Sequence, residues 1–362
     1  MKHIQKPIRY LMGVLLLSFV GCNNPIEDQE VKLLSPTGDE IYFGAFPDFG
    51  GPEDLVSAQK IIDFENLVNK KIAWACFSQN WYNGITYPKE SIHIIHDQGS
   101  IPLVRLLPRS TQDEFVQEEQ FSLQHIIDGV FDPQLRQWAQ AAKADNIPLL
   151  VDFAVEPNGN WFGWSGIFNG ADTKDGYGDP NYYDGPERYR DAYRHIIELF
   201  NEEGVEHITW FFHPDIHSLP DEPWNQPKLY YPGDAYIDWI GISLYGAMSP
   251  DDENWEMFDE ILAQGYRSIL DISTEKPFAL LEFGVTDHHP DGDKALWIEN
   301  AFESILAKEY IDFKAISYWH ENWTEESGAQ ATLRLDSSPE ALEMFKSYIQ
   351  NPLFLSQGYF SE

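Results

Sequence analysis

The chain of 362 residues carries 24 Lys and Arg against 59 Asp and Glu, a formal charge of −35 at pH 7. That excess excludes nucleic acid as a partner, because a polyanion is held by cationic side chains that release its counterions, and no basic cluster stands out. A hydrophobic fraction of 43% with 12 Trp and 18 Tyr excludes a disordered acidic chain and leaves more aromatic surface than a core alone requires.

Residues 1–21 read as a targeting signal. Lys2, Lys6 and Arg9 form a positive start, and Leu11 to Val20 form an apolar stretch too short to span a bilayer. Phe19-Val20-Gly21-Cys22 resembles a bacterial lipobox, which makes Cys22 the expected lipidated first residue of an exported chain. The anchor would sit in an outer membrane, on its periplasmic face or at the cell surface; ordinary secretion is the alternative. Loss of the signal removes three basic and no acidic side chains, moving the charge from −35 to −38. With Cys22 committed to lipid, Cys76 has no partner, so no disulfide framework is expected. Residues 22–39, polar with Pro and Gly, read as a flexible tether, followed by one folded unit from residue 40 to 362.

From Ile41 onward short apolar runs alternate with longer stretches of helical period, the pattern of parallel strands covered by helices. Eight strands are predicted: Ile41 to Phe46, Ile72 to Phe77, Ile101 to Leu107, Pro148 to Ala154, His207 to Phe212, Tyr236 to Ser243, Phe278 to Phe283 and Phe313 to Trp319. Amphipathic stretches between them include Pro133 to Ala144, Pro186 to Glu203, Glu253 to Ser273, Asp293 to Lys308 and Pro339 to Gln350. Eight strands imply an α/β fold closed as a (β/α)8 TIM barrel. A doubly wound open sheet is the competing architecture, disfavoured because no GxGxxG turn follows the first strand.

Chemistry in such barrels lies just past the strand C-termini. The fourth strand is followed by Val155-Glu156-Pro157-Asn158-Gly159-Asn160-Trp161-Phe162-Gly163-Trp164, and the seventh ends Leu281-Glu282-Phe283-Gly284. A carboxylate ending an apolar strand is costly to bury unless paired or used, and strands four and seven face one another across the mouth. Retaining glycosidases need two carboxyl groups about 5 to 5.5 Å apart, one protonated and one ionised. Pairing of either Glu with a barrel Arg or Lys is the competing structural role.

Glu156 in VEPNGNWFGW, Glu282 in ALLEFG and the intervening YYPGDAYIDWIGISLYG resemble glycoside hydrolase family 26, over about Phe43 to Trp319. The resemblance implies a retaining barrel of the clan with catalytic Glu on strands four and seven, acting on β-1,4-mannan first, or on mixed-linkage β-glucan or β-1,3-xylan. It makes Glu156 the acid/base, Glu282 the nucleophile, and Tyr245 the tyrosine that hydrogen-bonds the nucleophile. Two positions depart from the pattern: Val155 stands where a His usually precedes the acid/base, and Asp152 where an Arg is common. Arg105 on the third strand is the candidate replacement for that cation.

The aromatic excess fits sugar recognition, since pyranose faces stack on Trp and Tyr. Trp81, Tyr82, Trp161, Trp164, Trp210 and Trp319 fall at or near strand ends, with Trp319 the expected platform beneath the reacting sugar. Asn158 and His213 join the candidate substrate contacts. Trp74, Trp138 and Trp239 sit inside element patterns and are expected in the core. His213 and His217 are spaced four apart, but Pro214 argues against a helix aligning them for zinc, and Asp287 to Asp293 lacks the ligand order of a calcium loop. No metal and no cofactor are expected. The partner is thus a β-linked polysaccharide or oligosaccharide, with the membrane reached through Cys22 and the barrel a monomer. A surface glycan-binding lipoprotein without turnover is the alternative outside enzymes.

Overall fold

In the computed structural model, residues 31–324 and 328–361 are described. Residues 1–21 and Cys22 lie outside the described residues. Eight strands form the barrel: β1 (Ile41–Phe46), β2 (Trp74–Asn80), β3 (Ile101–Leu107), β4 (Leu149–Phe153), β5 (Ile208–Phe212), β6 (Trp239–Tyr245), β7 (Phe278–Gly284) and β8 (Phe313–Trp319). All neighbours pair in parallel, and β1 pairs with β8 from Tyr42 opposite Ala315 to Phe46 opposite Trp319, which closes the ring. The chain therefore folds as the (β/α)8 TIM barrel that the alternation predicts.

The strands are buried along nearly their whole length, because side chains fill the inside and helices cover the outside. That outer ring includes α1 (Ala58–Val68), α2 (Lys89–Asp97), α3 (Leu123–Ile127), α4 (Asp132–Asp145), α5 (Asp184–Glu202), α6 (Pro227–Tyr230), α7 (Phe258–Leu270), α8 (Lys294–Ala307) and α9 (Pro339–Ile349). Local signals set their ends. Asp293 accepts from the amides of Ala295 and Leu296 to start α8, Ser338 caps α9 before Pro339, and Asn146 adopts a left-handed φ of 53° to stop α4.

Three strands have the bounds read from the sequence, and β2, β6 and β7 extend past them. β2 runs on through Ser78, Gln79 and Asn80, and β6 through Tyr245, because interior positions near the barrel mouth are polar and end the apolar run before the strand ends. The tether also differs from expectation. From Val31 the chain is docked under the barrel: the Val31 amide donates to Glu206 O at 2.9 Å, Lys32 Nζ reaches Ile208 O at 2.7 Å, and buried Leu33 bridges Phe360. Leu33 supplies an apolar plug that the polar composition of this stretch masks.

Two features of the sheet set up the mouth. Ser78, Arg105 and Asp152 are register partners across β2, β3 and β4, so their side chains occupy one interior layer. Between β6 and β7 the register passes from Ile242 opposite Leu280 to Ser243 opposite Glu282, leaving Leu281 as an extra residue. Such a bulge re-aims the side chains beside it, here that of Glu282.

Candidate active site

Past the end of β4 the backbone turns left-handed twice, at Ala154 (φ 51°) and at Glu156 (φ 53°). Residues with a Cβ pay for this conformation and hold it only where neighbours over-determine it. Here the Ala154 amide donates to Leu106 O at 3.0 Å and the Glu156 amide to His213 O at 2.6 Å, tying the turn to β3 and to the residue after β5. The turn leaves Glu156 buried at the mouth, where its Oε2 accepts from Trp161 Nε1 at 2.7 Å. Gly159 makes that contact possible, because a Cβ there would lie 2.5 Å from the Trp161 ring.

Glu282 is buried on β7 and accepts from the Tyr245 hydroxyl at 2.8 Å. Arg105 Nη2 stands 3.3 Å from its other oxygen, while Arg105 Nη1 donates to Glu53 at 2.7 Å. Glu53 also accepts from the Ser78 hydroxyl. Side-chain atoms of Glu156, His213 and Glu282 all lie within 4.8 Å of one another. Both imidazole nitrogens of His213 are taken, Nδ1 by Asp152 at 2.8 Å and Nε2 by Ser243 at 2.9 Å, so the trio offers a cation no free ring lone pair.

Electrostatics separate the two carboxyl groups. Burial raises Glu282 to about 7, with Arg105 opposing and the charge of Glu156 adding. Burial likewise raises Glu156, opposed by hydrogen bonds from Ser243 and Trp161 and by the charge of Arg105. Two carboxylates this close cannot both ionise cheaply. Glu282 has an Arg105 guanidinium nitrogen at 3.3 Å and the Tyr245 hydroxyl at 2.8 Å, both of which favour its charged form. Tyr245 stays a donor, because burial first and Glu282 second push it well above its ordinary value. A third acid, Asp215, is raised by burial and then by Glu156.

The structure thus brings Glu156, Glu282, Tyr245, Trp161 and Arg105 together, and Trp161 and Tyr245 are each partly open to solvent. Four sequence candidates are buried, with their side-chain polar atoms bonded within the protein. Trp81 is buried between Phe121 and Phe131, with its Nε1 bonded to Gln79. Trp164 is buried on Phe162 and donates to Val155 O. Asn158 spends its amide on Asp215 O, His217 O and Ser218 Oγ and its oxygen on the Asp215 amide, bracing the loops after β4 and β5. His213 is buried between Asp152 and Ser243. In each case the strand-end position was read correctly, but the side chain turns into the packing beneath the mouth. Trp319 is 5% exposed, stacked on Phe46 with Arg105 over its ring, which leaves little more than an edge for a sugar.

Sequence reasoning missed Glu53, Ser243 and Asp215. Glu53 comes from the loop after β1, which carries no pattern. Ser243 did carry a signal, since a serine inside the apolar run of β6 must find a buried partner.

Glycosyl hydrolase family 26 matches residues 112–276, a span that includes Glu156 and Tyr245 and ends before Glu282. Endoglucanase H of Acetivibrio thermocellus is 25% identical over 296 residues, which cover 81% of this chain and 29% of that protein. A mannan endo-1,4-beta-mannosidase of Bacillus subtilis is 26% identical over 216 residues, covering 60% of this chain and 47% of that protein. The chain therefore matches less than half the length of these curated relatives. The solved catalytic domain of a Bacillus sp. JAMB-750 endo-beta-1,4-mannanase superposes with a TM-score of 0.60 at 18% identity, over 87% of each chain, and so shares the fold. Barrel, paired carboxyl groups and family match agree in making the chain similar to glycosyl hydrolase family 26 over residues 112–276.

Proposed function

We propose that the protein is a retaining, endo-acting hydrolase of β-linked polysaccharide, with β-1,4-mannan as its substrate. The observation that carries this reading is the approach of Glu156 and Glu282 to within 4.8 Å, with the Tyr245 hydroxyl and the Arg105 guanidinium both on Glu282. That spacing is on the short side of the range used for direct attack, and below the roughly 6.5 to 9.5 Å that admits a water between inverting carboxyl groups.

In the first step the Glu282 carboxylate attacks the anomeric carbon while Glu156 gives its proton to the departing oxygen, leaving a glycosyl ester on Glu282. In the second, Glu156, now ionised, takes a proton from water as that water attacks the same carbon, and Glu282 leaves as a carboxylate. Tyr245 and Arg105 favour the charged form of Glu282 at both ends of the cycle. The Trp161 N–H holds Glu156 in position for both transfers.

Mannan is favoured by the match to the mannan endo-1,4-beta-mannosidase. β-Glucan is the second reading, favoured by the longer match to endoglucanase H and by Val155, which cannot hydrogen-bond a sugar hydroxyl. Release of reducing ends from galactomannan, barley β-glucan and β-1,3-xylan, compared side by side, decides. Fastest release from galactomannan is expected; release only from β-glucan would move the substrate to the second reading, and binding without release from any would favour the non-catalytic alternative. The lipobox-like FVGC supports a lipid anchor on Cys22, so Cys22→Ser should abolish lipid labelling and free the protein from membranes.

A further inference from the structure

The chain enters the barrel on the face opposite the catalytic pair, and β6 spans the two. Trp239 at its start donates through Nε1 to Leu33 O at 3.0 Å, while Tyr245 at its end donates to Glu282 at 2.8 Å. Leu33 is 3% exposed, and its amide donates to Thr209 Oγ1 at 2.8 Å near the start of β5. Lys32 Nζ pairs with Asp238 at 3.1 Å just ahead of β6, and the Lys32 amide donates to Ser361 Oγ at 2.8 Å. Because the barrel strands are all parallel, these bonds fix residues 31–34 to the face formed by the strand starts.

We propose that this face of the barrel is turned to a lipid bilayer and the catalytic mouth away from it, the chain being held by the anchor at Cys22. The inference rests on the reading of Cys22, outside the described residues, as the lipidated residue. Cys22 precedes Val31 by nine positions. Whatever path they take, nine residues reach at most about 32 Å. A compact body of this chain length is about 50 Å across. To lay the mouth on the bilayer, the opposite face must rise by that thickness, farther than the tether reaches. The face of the strand starts can come down to the headgroups.

The side chains on that face suit the contact. Leu34 is 46% exposed and Tyr359 47%, and the Leu34 amide donates to Tyr359 O at 2.8 Å. Tyr settles where lipid meets water. The surplus of 59 acidic over 24 basic side chains opposes adhesion of the barrel's flank to anionic headgroups. Held this way, Glu156 and Glu282 open toward the side from which a polymer arrives, and a chain too bulky to pass between barrel and bilayer still reaches them.

The test is energy transfer from a fluorophore on the full lipidated chain to acceptor-labelled headgroups in vesicles of phosphatidylethanolamine and phosphatidylglycerol. Tyr359→Cys places the fluorophore on the face of the strand starts. Met248→Cys, at a position 42% exposed in the loop after β6, places it beside the mouth, and buried Cys76 stays unlabelled. The Tyr359→Cys label should lose at least about three times as much emission as the Met248→Cys label, since about 50 Å of barrel separates the two faces. If Tyr359→Cys does not fold, Leu34→Cys takes its place. Inserting about twenty Gly and Ser residues ahead of Val31 extends the reach beyond the barrel's width and should raise transfer from Met248→Cys severalfold. Equal transfer from the two faces, stronger transfer from the mouth, or no rise with the longer tether overturns the orientation. Failure of the anchor reading is distinguishable, since Cys22→Ser would then bind the vesicles no less than the unaltered chain; release by Cys22→Ser together with equal transfer in the anchored chain contradicts the orientation alone.

Discussion

Arg105 lies 3.3 Å from Glu282 through one terminal nitrogen and 2.7 Å from Glu53 through the other, so a single buried guanidinium serves two carboxylates. Its charge lowers Glu282, whose carboxyl nonetheless sits near 7 under the pressure of burial. Removing the cation raises Glu282 further. A nucleophile must be ionised, so Arg105→Gln should move the acidic limb of the kcat/KM profile to higher pH by about one unit or more, costing roughly tenfold or more in activity at pH 6. An acidic limb left where it was would show that Arg105 acts on Glu53 alone.

Glu156→Ala should cripple cleavage of polysaccharide by about two to four orders of magnitude, while an aryl glycoside with a good leaving group keeps a rapid first step. The glycosyl ester should then accumulate, because the same residue activates water in the second step. Steady-state rates alongside the burst of released phenol check both halves. Azide, which needs no base, should speed the slow second step.

Gly159→Ala tests the link between loop geometry and the acid. Its Cβ would meet the Trp161 ring at 2.5 Å, so the indole must move and give up its 2.7 Å bond to Glu156. Polysaccharide cleavage should fall by about tenfold with a stability loss of about 1 to 3 kcal/mol, typical of overpacking. Trp161→Phe removes the N–H in advance, so adding Gly159→Ala in that background should cost little further activity. Kinetics with thermal melts of the four variants close the cycle.

How far the sequence reached depends on which way a side chain points. The barrel was legible because apolar runs and helical periods alternate, and Glu156 and Glu282 were legible because an acid closing an apolar strand stands out. Arg105 was read as the candidate for the cation missing at Asp152, and it lies against Glu282. Trp81, Trp164, Asn158 and His213 were at the right ends of the right strands. Whether such a residue turns up to the cleft or down into the packing is set by loop conformation, including the left-handed turns at Ala154 and Glu156, which leave no trace in composition. Glu53 was invisible for the same reason, being brought to Arg105 by a loop without period. Leu33 was hidden by its polar neighbours, though it anchors the start of the described chain under β5 and β6.

The most direct measurement of the central claim, that Glu282 attacks the sugar itself, is proton NMR of the first product formed, joined to labelling by a 2-fluoro glycosyl inactivator. The proximity of Glu156 and Glu282 leaves no room for an intervening water, so the β-anomer should appear before mutarotation and the label should be found on Glu282. Initial appearance of the α-anomer, or a label on any other residue, would contradict the account.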